Sequence, residues 1–167
     1  RFKTYQLGFP NMEVENGFIK YLLPFYTPVK KNQTEFFIAN FISDIERGRP
    51  DAFMQRMQTL FADTSYQVSG RMEVYFQNSM YLIFKLLGFY TEVERTTSRG
   101  RIDIVMKTSK YIYIIEVKLD GTAADALRQI NERGYVAPFA SDGRRVYKIG
   151  VNFSSAVRGV DEWLTEG

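Results

Sequence analysis

The sequence contains no cysteine and no histidine. Without cysteine there are no disulfides, thiol nucleophiles or thiolate metal sites, and the chain suits a reducing compartment; the expected location is cytoplasmic. Without histidine, Ser-His-Asp and Cys-His catalysis, the usual zinc sites and the two-histidine iron site are excluded too. Any catalysis must run on carboxylates, lysine, tyrosine or serine. Any bound metal must be a hard cation held by oxygens. No run of eighteen apolar residues occurs, so no membrane-spanning helix is expected. The N-terminus lacks a basic–apolar–small leader pattern, and the chain opens at Arg1 in mid-pattern, as a piece of a longer protein would.

What is present is enough for a packed domain. Of the 167 residues, 45% are hydrophobic and 16% aromatic, ample for a core. The net charge of +3 is a mild basic bias, a weak pointer to nucleic acid, and the two signs are mixed along the chain.

Hydrophobic spacing divides the chain into helices followed by strands. Residues 1–9 read as a short strand or the tail of an upstream segment. Pro10 suits the start of a helix over MEVENGFIKYLLPFY, with Val14, Phe18, Tyr21 and Leu22 inward and Pro24 and Pro28 ending it. Asn32 is placed to cap a second helix, with Phe36, Phe37, Ile38, Phe41, Ile42 and Ile45 as its apolar stripe and Gly48 as its stop. A third helix is expected from Pro50, a polar loop over Asp63–Gly70, and a fourth, largely buried helix over Arg71–Leu87. Phe89–Thr97 reads as a strand. Gly100–Lys118 (GRIDIVMKTSKYIYIIEVK) reads as two strands joined by a turn at Thr108–Lys110. A helix over Ala123–Tyr135 is capped by Thr122, a strand covers Arg145–Phe153, and the tail forms a short strand or helix ending at Trp163. The expected fold is α/β. A mixed sheet in the order helix–three strands–helix–strand begins at residue 71, and residues 1–70 form an N-terminal helical extension.

The hairpin carries acids where a plain strand would not. Asp103 lies inside RIDIV, and Glu116 and Lys118 lie at the end of YIIEVK, on one face with Val117 on the other. Pairing around the turn can bring Asp103 near Glu116, to within a residue or two of register. Two carboxylates that close repel unless a cation sits between them. A divalent ion held by Asp103, Glu116 and the Val117 carbonyl resolves this, with Glu73 as an outer ligand from the fourth helix. Such an ion would polarise a phosphoryl oxygen and acidify water, with Lys118 assisting and Gln129 hydrogen-bonding the water or a phosphate. Arg99 and Arg101 are candidate phosphate contacts.

Asp, a spacer and Glu-x-Lys at a strand end, with a Glu on the preceding helix and a Gln on the following one, resemble the PD-(D/E)xK nuclease superfamily. The resemblance covers Arg71 to about Ser155 and departs from the pattern at Ile102, which stands where proline usually precedes the aspartate. It implies a restriction-endonuclease-like core and metal-dependent hydrolysis of DNA. It assigns Asp103 and Glu116 as ligands of Mg²⁺ (Mn²⁺ as substitute), Lys118 as the catalytic lysine, Glu73 as the helix acid and Gln129 as accessory. A closer likeness, carried by Leu7–Val14, Gly100–Val105, Ile114–Ile130 with Tyr135, and Ile149–Ser154, is to a Bacteroides-type bacterial family with an upstream AAA-type ATPase domain. That likeness implies the ATPase as a partner within the longer chain; a homodimer is a separate candidate partner. The alternative reading is a non-catalytic module of nuclease fold that binds DNA or serves the ATPase.

Overall fold

The structure, a computed structural model, describes residues 8–27, 29–62, 72–88, 92–98 and 101–167, with the backbone alone at residues 31, 72–77, 92–98 and 101–103. The loop expected at Asp63–Gly70 lies outside the described residues, as do residues 1–7 of the expected first segment.

Among the described residues, four α-helices precede the sheet. Helix α1 (Met12–Tyr26) starts at Asn11, whose side chain accepts a hydrogen bond from the Val14 N–H at 2.9 Å. Pro24 does not end it, contrary to expectation. It sits in the last turn, where the lost N–H costs one bond, and Thr27 closes the end by donating its N–H and hydroxyl to the Leu23 carbonyl. The inward face also differs from expectation. Ile19 and Leu23 are buried, whereas Val14, Phe18 and Tyr21 are about half exposed. The helix is apolar on two sides, so spacing alone does not choose between them.

Helix α2 (Thr34–Glu46) follows a 3₁₀ turn at Lys31–Gln33. Asn32 is part of that turn and does not cap the helix; Gln33 holds the cap position, with no side-chain bond, because the turn runs directly into the helix. Ile38, Phe41 and Ile45 are buried, but Phe36 is 74% exposed. At Gly48 φ is +67°, and a Cβ there would meet the Tyr111 ring at 2.6 Å, so glycine is required twice over. Helix α3 (Pro50–Ala62) buries Phe53, Met54, Met57, Leu60 and Phe61. Helix α4 (Met72–Leu87) buries Met80, Leu82, Ile83, Phe84, Leu86 and Leu87 in its described second half, and Gly88 follows it.

Among the described residues, five strands form one sheet in sequence order: β1 (Glu92–Ser98), β2 (Arg101–Lys107), β3 (Tyr111–Leu119), β4 (Arg145–Ser154) and β5 (Gly159–Glu166). The first three pair antiparallel, β4 lies parallel to β3, and β5 returns antiparallel. Helix α5 (Ala123–Glu132) makes the crossover that a parallel neighbour needs. The mixed sheet and the N-terminal helices match the fold class expected from the sequence. The tail is a full strand through Trp163. Helix α5 stops three residues short of Tyr135 because Gly134, at φ +63°, ends it in a Schellman motif: Tyr135 N–H bonds Ile130 C=O and Gly134 N–H bonds Asn131 C=O.

The sheet divides the core by the alternation of its strands. Ile104, Met106, Tyr113, Ile115, Val117, Ile149, Val151 and Phe153 join α1–α4 in the larger cluster. Ile112, Ile114 and Ile130 form a smaller one under α5, flanked by Val105, Leu127, Tyr135 and Val146. At the far edge β5 is tied to α3: the Trp163 indole N–H and Thr165 hydroxyl both donate to Asp51, at 3.0 and 2.9 Å, and Gln58 donates to the Val160 carbonyl.

Candidate active site

The site grows from the β2–β3 hairpin. Thr108 fixes the turn: its N–H donates to the Tyr111 carbonyl at 2.9 Å and its hydroxyl oxygen accepts from the Tyr111 N–H at 3.0 Å. The resulting register sets Asp103 directly opposite Glu116. Opposed positions of an antiparallel pair share a face of the sheet, and this face is the one covered by α5. Asp103 and Glu116 therefore hold adjoining positions on one face, although the Asp103 side chain is outside the described residues. Val117 turns into the larger core on the opposite face.

Glu116 is wholly buried. Its Oε1 accepts from the Gln129 side-chain amide, and the same amide's oxygen accepts from Lys118 Nζ. A carboxylate can only accept and an ammonium can only donate, so the Gln129 amide has one orientation that serves both. Lys118 Nζ lies 3.6 Å from Glu116 Oε1 and keeps about a quarter of its side chain in contact with solvent. Glu116, Lys118 and Gln129 thus meet at one point. Arg101 stands opposite Lys118 in register and Glu73 is in the first turn of α4; neither side chain is described, and Arg99 lies outside the described residues.

Gln129 reaches Glu116 because α5 rests directly on the sheet. Gly150, the register partner of Glu116 on β4, makes this possible. A Cβ there would lie 2.3 Å from the Ala123 carbonyl oxygen and 2.5 Å from the Leu127 nitrogen.

The turn between Lys118 and α5 is held by β4 and β5. Asp120, at φ +51°, accepts from the Ser155 N–H and hydroxyl at 2.7 and 2.6 Å. Gly121 N–H donates to Asn152 Oδ1 at 2.9 Å, Thr122 caps the helix through the Asp125 N–H, and Ala123 N–H donates to Glu162 Oε1 at 2.7 Å. Asp120, Gly150, Asn152, Ser155 and Glu162 were not among the residues read from the sequence. Gly150 and Asn152 carried a signal, since each interrupts an apolar strand, and Asp120-Gly121 is a turn dipeptide. Glu162 and Ser155 carried none, because their roles depend on contacts far along the chain.

The Ser155 bonds hold the Asp120 carboxyl below its ordinary value of 3.8. A carboxylate stabilised in the folded state contributes fully above the unfolded value and loses that contribution as pH falls through the lower folded value. Ser155→Ala is therefore expected to melt below wild type at neutral pH. Thermal melts against pH check this: the gap closes as pH drops below 3.8.

The oxygen-only donor set fits a hard divalent cation: a buried carboxylate, a second carboxylate residue opposite it and adjacent backbone carbonyls. Among the described residues no group of three or more acidic side chains gathers at one point. Glu73 and Asp103 are outside that statement.

Residues 71–163, more than half of the chain, match the profile of the PD-(D/E)XK nuclease superfamily. The chain belongs to this superfamily. Membership of the PD-(D/E)XK nucleases points to phosphodiester hydrolysis as the class of activity, nucleic acid as the class of substrate and, as is general in the superfamily, a divalent metal. The chain is also 27% identical to an uncharacterised protein of the vnfD 5′ region of Azotobacter chroococcum mcd 1, over 97% of this chain and 33% of that protein. It thus spans about a third of that relative's length. No solved structure matches it. No described helix is long and apolar enough to cross a membrane.

Proposed function

We propose that this PD-(D/E)XK domain is a metal-dependent nuclease that hydrolyses DNA. The observation that carries the reading is the buried Glu116 opposite Asp103, with Lys118 on the same strand and Gln129 joined to both. Asp103, Glu116 and the Val117 carbonyl would hold Mg²⁺, with Glu73 as an outer ligand and Mn²⁺ as a substitute. The ion would supply Lewis acidity toward a phosphoryl oxygen and lower the pKa of water. Lys118 orients the attacking water and offsets negative charge as it develops on the phosphate. Gln129 holds Lys118 and Glu116 in place, and Arg99 and Arg101 are candidate phosphate contacts.

Asp103→Ala is expected to keep the fold and to abolish Mg²⁺-dependent DNA cleavage, as judged by circular dichroism and a plasmid-nicking assay. Undiminished cleavage by the pure variant would sink the proposal. Failure of the wild type to bind Mn²⁺ at millimolar concentration, with or without DNA, would favour a non-catalytic module instead.

The setting is proposed as well. Residues 71–167 are the nuclease unit, and residues 1–70 are an extension leading to an upstream AAA-type ATPase of a Bacteroides-type family. The extension is no loose tether, since α1, α2 and α3 share one core with the sheet. The greater length of the Azotobacter relative is compatible with a further domain. So is the outward side of α1, where Val14, Phe18, Tyr21 and Phe25 form an exposed apolar stripe. A cytoplasmic location and a homodimer belong to the same proposal.

A further inference from the structure

We infer that Lys118 is a built-in counter-cation for Glu116, latched by Gln129, and that a divalent ion must compete with it for that carboxylate. The inference rests on the metal-site reading above and adds to it a second duty for the lysine. A wholly buried carboxylate is costly to keep ionised without a nearby positive charge and good hydrogen bonds. Glu116 is given both within the site. Lys118 Nζ stands 3.6 Å from Oε1, and the Gln129 amide donates to that same oxygen while accepting from the ammonium.

The lysine is held there from several directions. Gly121 follows it so closely that a Cβ on that glycine would lie 3.1 Å from the Lys118 Cβ. Asn152 and Ser155 pin the turn, and Gly150 seats α5 so that Gln129 cannot draw back. The exposed quarter of the Lys118 side chain nevertheless gives it a way out toward solvent. A divalent ion reaching Glu116 meets a positive charge a few ångströms away, and the ammonium relieves that repulsion by swinging outward. Metal loading and release of the lysine toward substrate then become one event.

Calorimetric titration with Mn²⁺ in the absence of DNA, paired with thermal melts with and without Mn²⁺, tests this. Lys118→Met is expected to bind Mn²⁺ about tenfold more tightly than wild type, as removal of one charge at this range implies. It is also expected to melt several degrees lower without added metal and to gain more from Mn²⁺ than wild type does. Should Lys118→Met not fold, Lys118→Gln reads the same competition, since it keeps a polar group but no charge. If wild type and variant bind with equal affinity, or the variant binds more weakly, the inference is overturned while the metal site stands. If neither binds Mn²⁺, the metal reading of the site falls and this inference with it.

Discussion

Gly150→Ala is expected to lower the thermal midpoint by about 10 °C and to cost about a hundredfold in cleavage. The added methyl meets backbone atoms of α5, the Ala123 carbonyl and the Leu127 nitrogen, so no rotamer change relieves it. The helix must lift. Overpacking of this kind costs about 3 kcal/mol at the upper end of its usual range, which for a domain of this size is about 10 °C. The same lift carries Gln129 away from Glu116 and Lys118, and a displacement of about 1 Å at a catalytic constellation costs about 10²-fold in rate. Differential scanning calorimetry and single-turnover cleavage would report the two losses. A variant with wild-type stability would show that α5 is not seated as tightly as described.

Glu116→Gln is expected to separate activity from stability in the opposite sense. Cleavage and Mn²⁺ binding are lost, with a rate loss of about 10³-fold or more. Without added metal, however, the melting temperature holds or rises. Glutamine fills nearly the same volume beside the Gln129 amide and removes the wholly buried charge, while the Lys118 ammonium left behind is about a quarter exposed and can turn to solvent, so no buried charge is stranded. On the proposed function, a carboxylate kept at such a position is a cost borne for activity, a conflict of the kind expected at functional sites. A fall of several degrees in the metal-free melt would indicate that Glu116 is held for the fold instead.

The parts of this arrangement that were legible in the sequence are those set by local pattern. The hairpin could be read because apolar alternation on both sides of Thr108–Lys110 leaves few registers that bury the right residues. Helix α5 could be read from Thr122 and the Ala126–Ile130 spacing. Glu116 and Lys118 stood out because charge at the end of an apolar strand demands a reason. Helix α1 was misread because Phe18 and Tyr21 satisfy the same periodicity as Ile19 and Leu23, and only tertiary contacts decide which pair is buried. Its span, Met12–Tyr26, is the one expected, and Pro24 does not stop it because it forbids only a bond that the last turn can spare. The supports of β3 and its turn into α5 were least visible. Glu162 serves the first residue of α5 from 39 positions away, and no local pattern encodes such a pairing.

The bond from Trp163 to Asp51 has a practical consequence. Trp163 is the single tryptophan of the chain, partly buried on β5 with its indole N–H bound to α3. Its emission therefore reports on one seam, where the last strand meets the third helix. Loss of that seam should appear as a red shift, even while α5 and the hairpin still hold. Fluorescence and cleavage followed together through a denaturant titration would tell whether the edge of the sheet comes apart before the hairpin that carries Glu116 does.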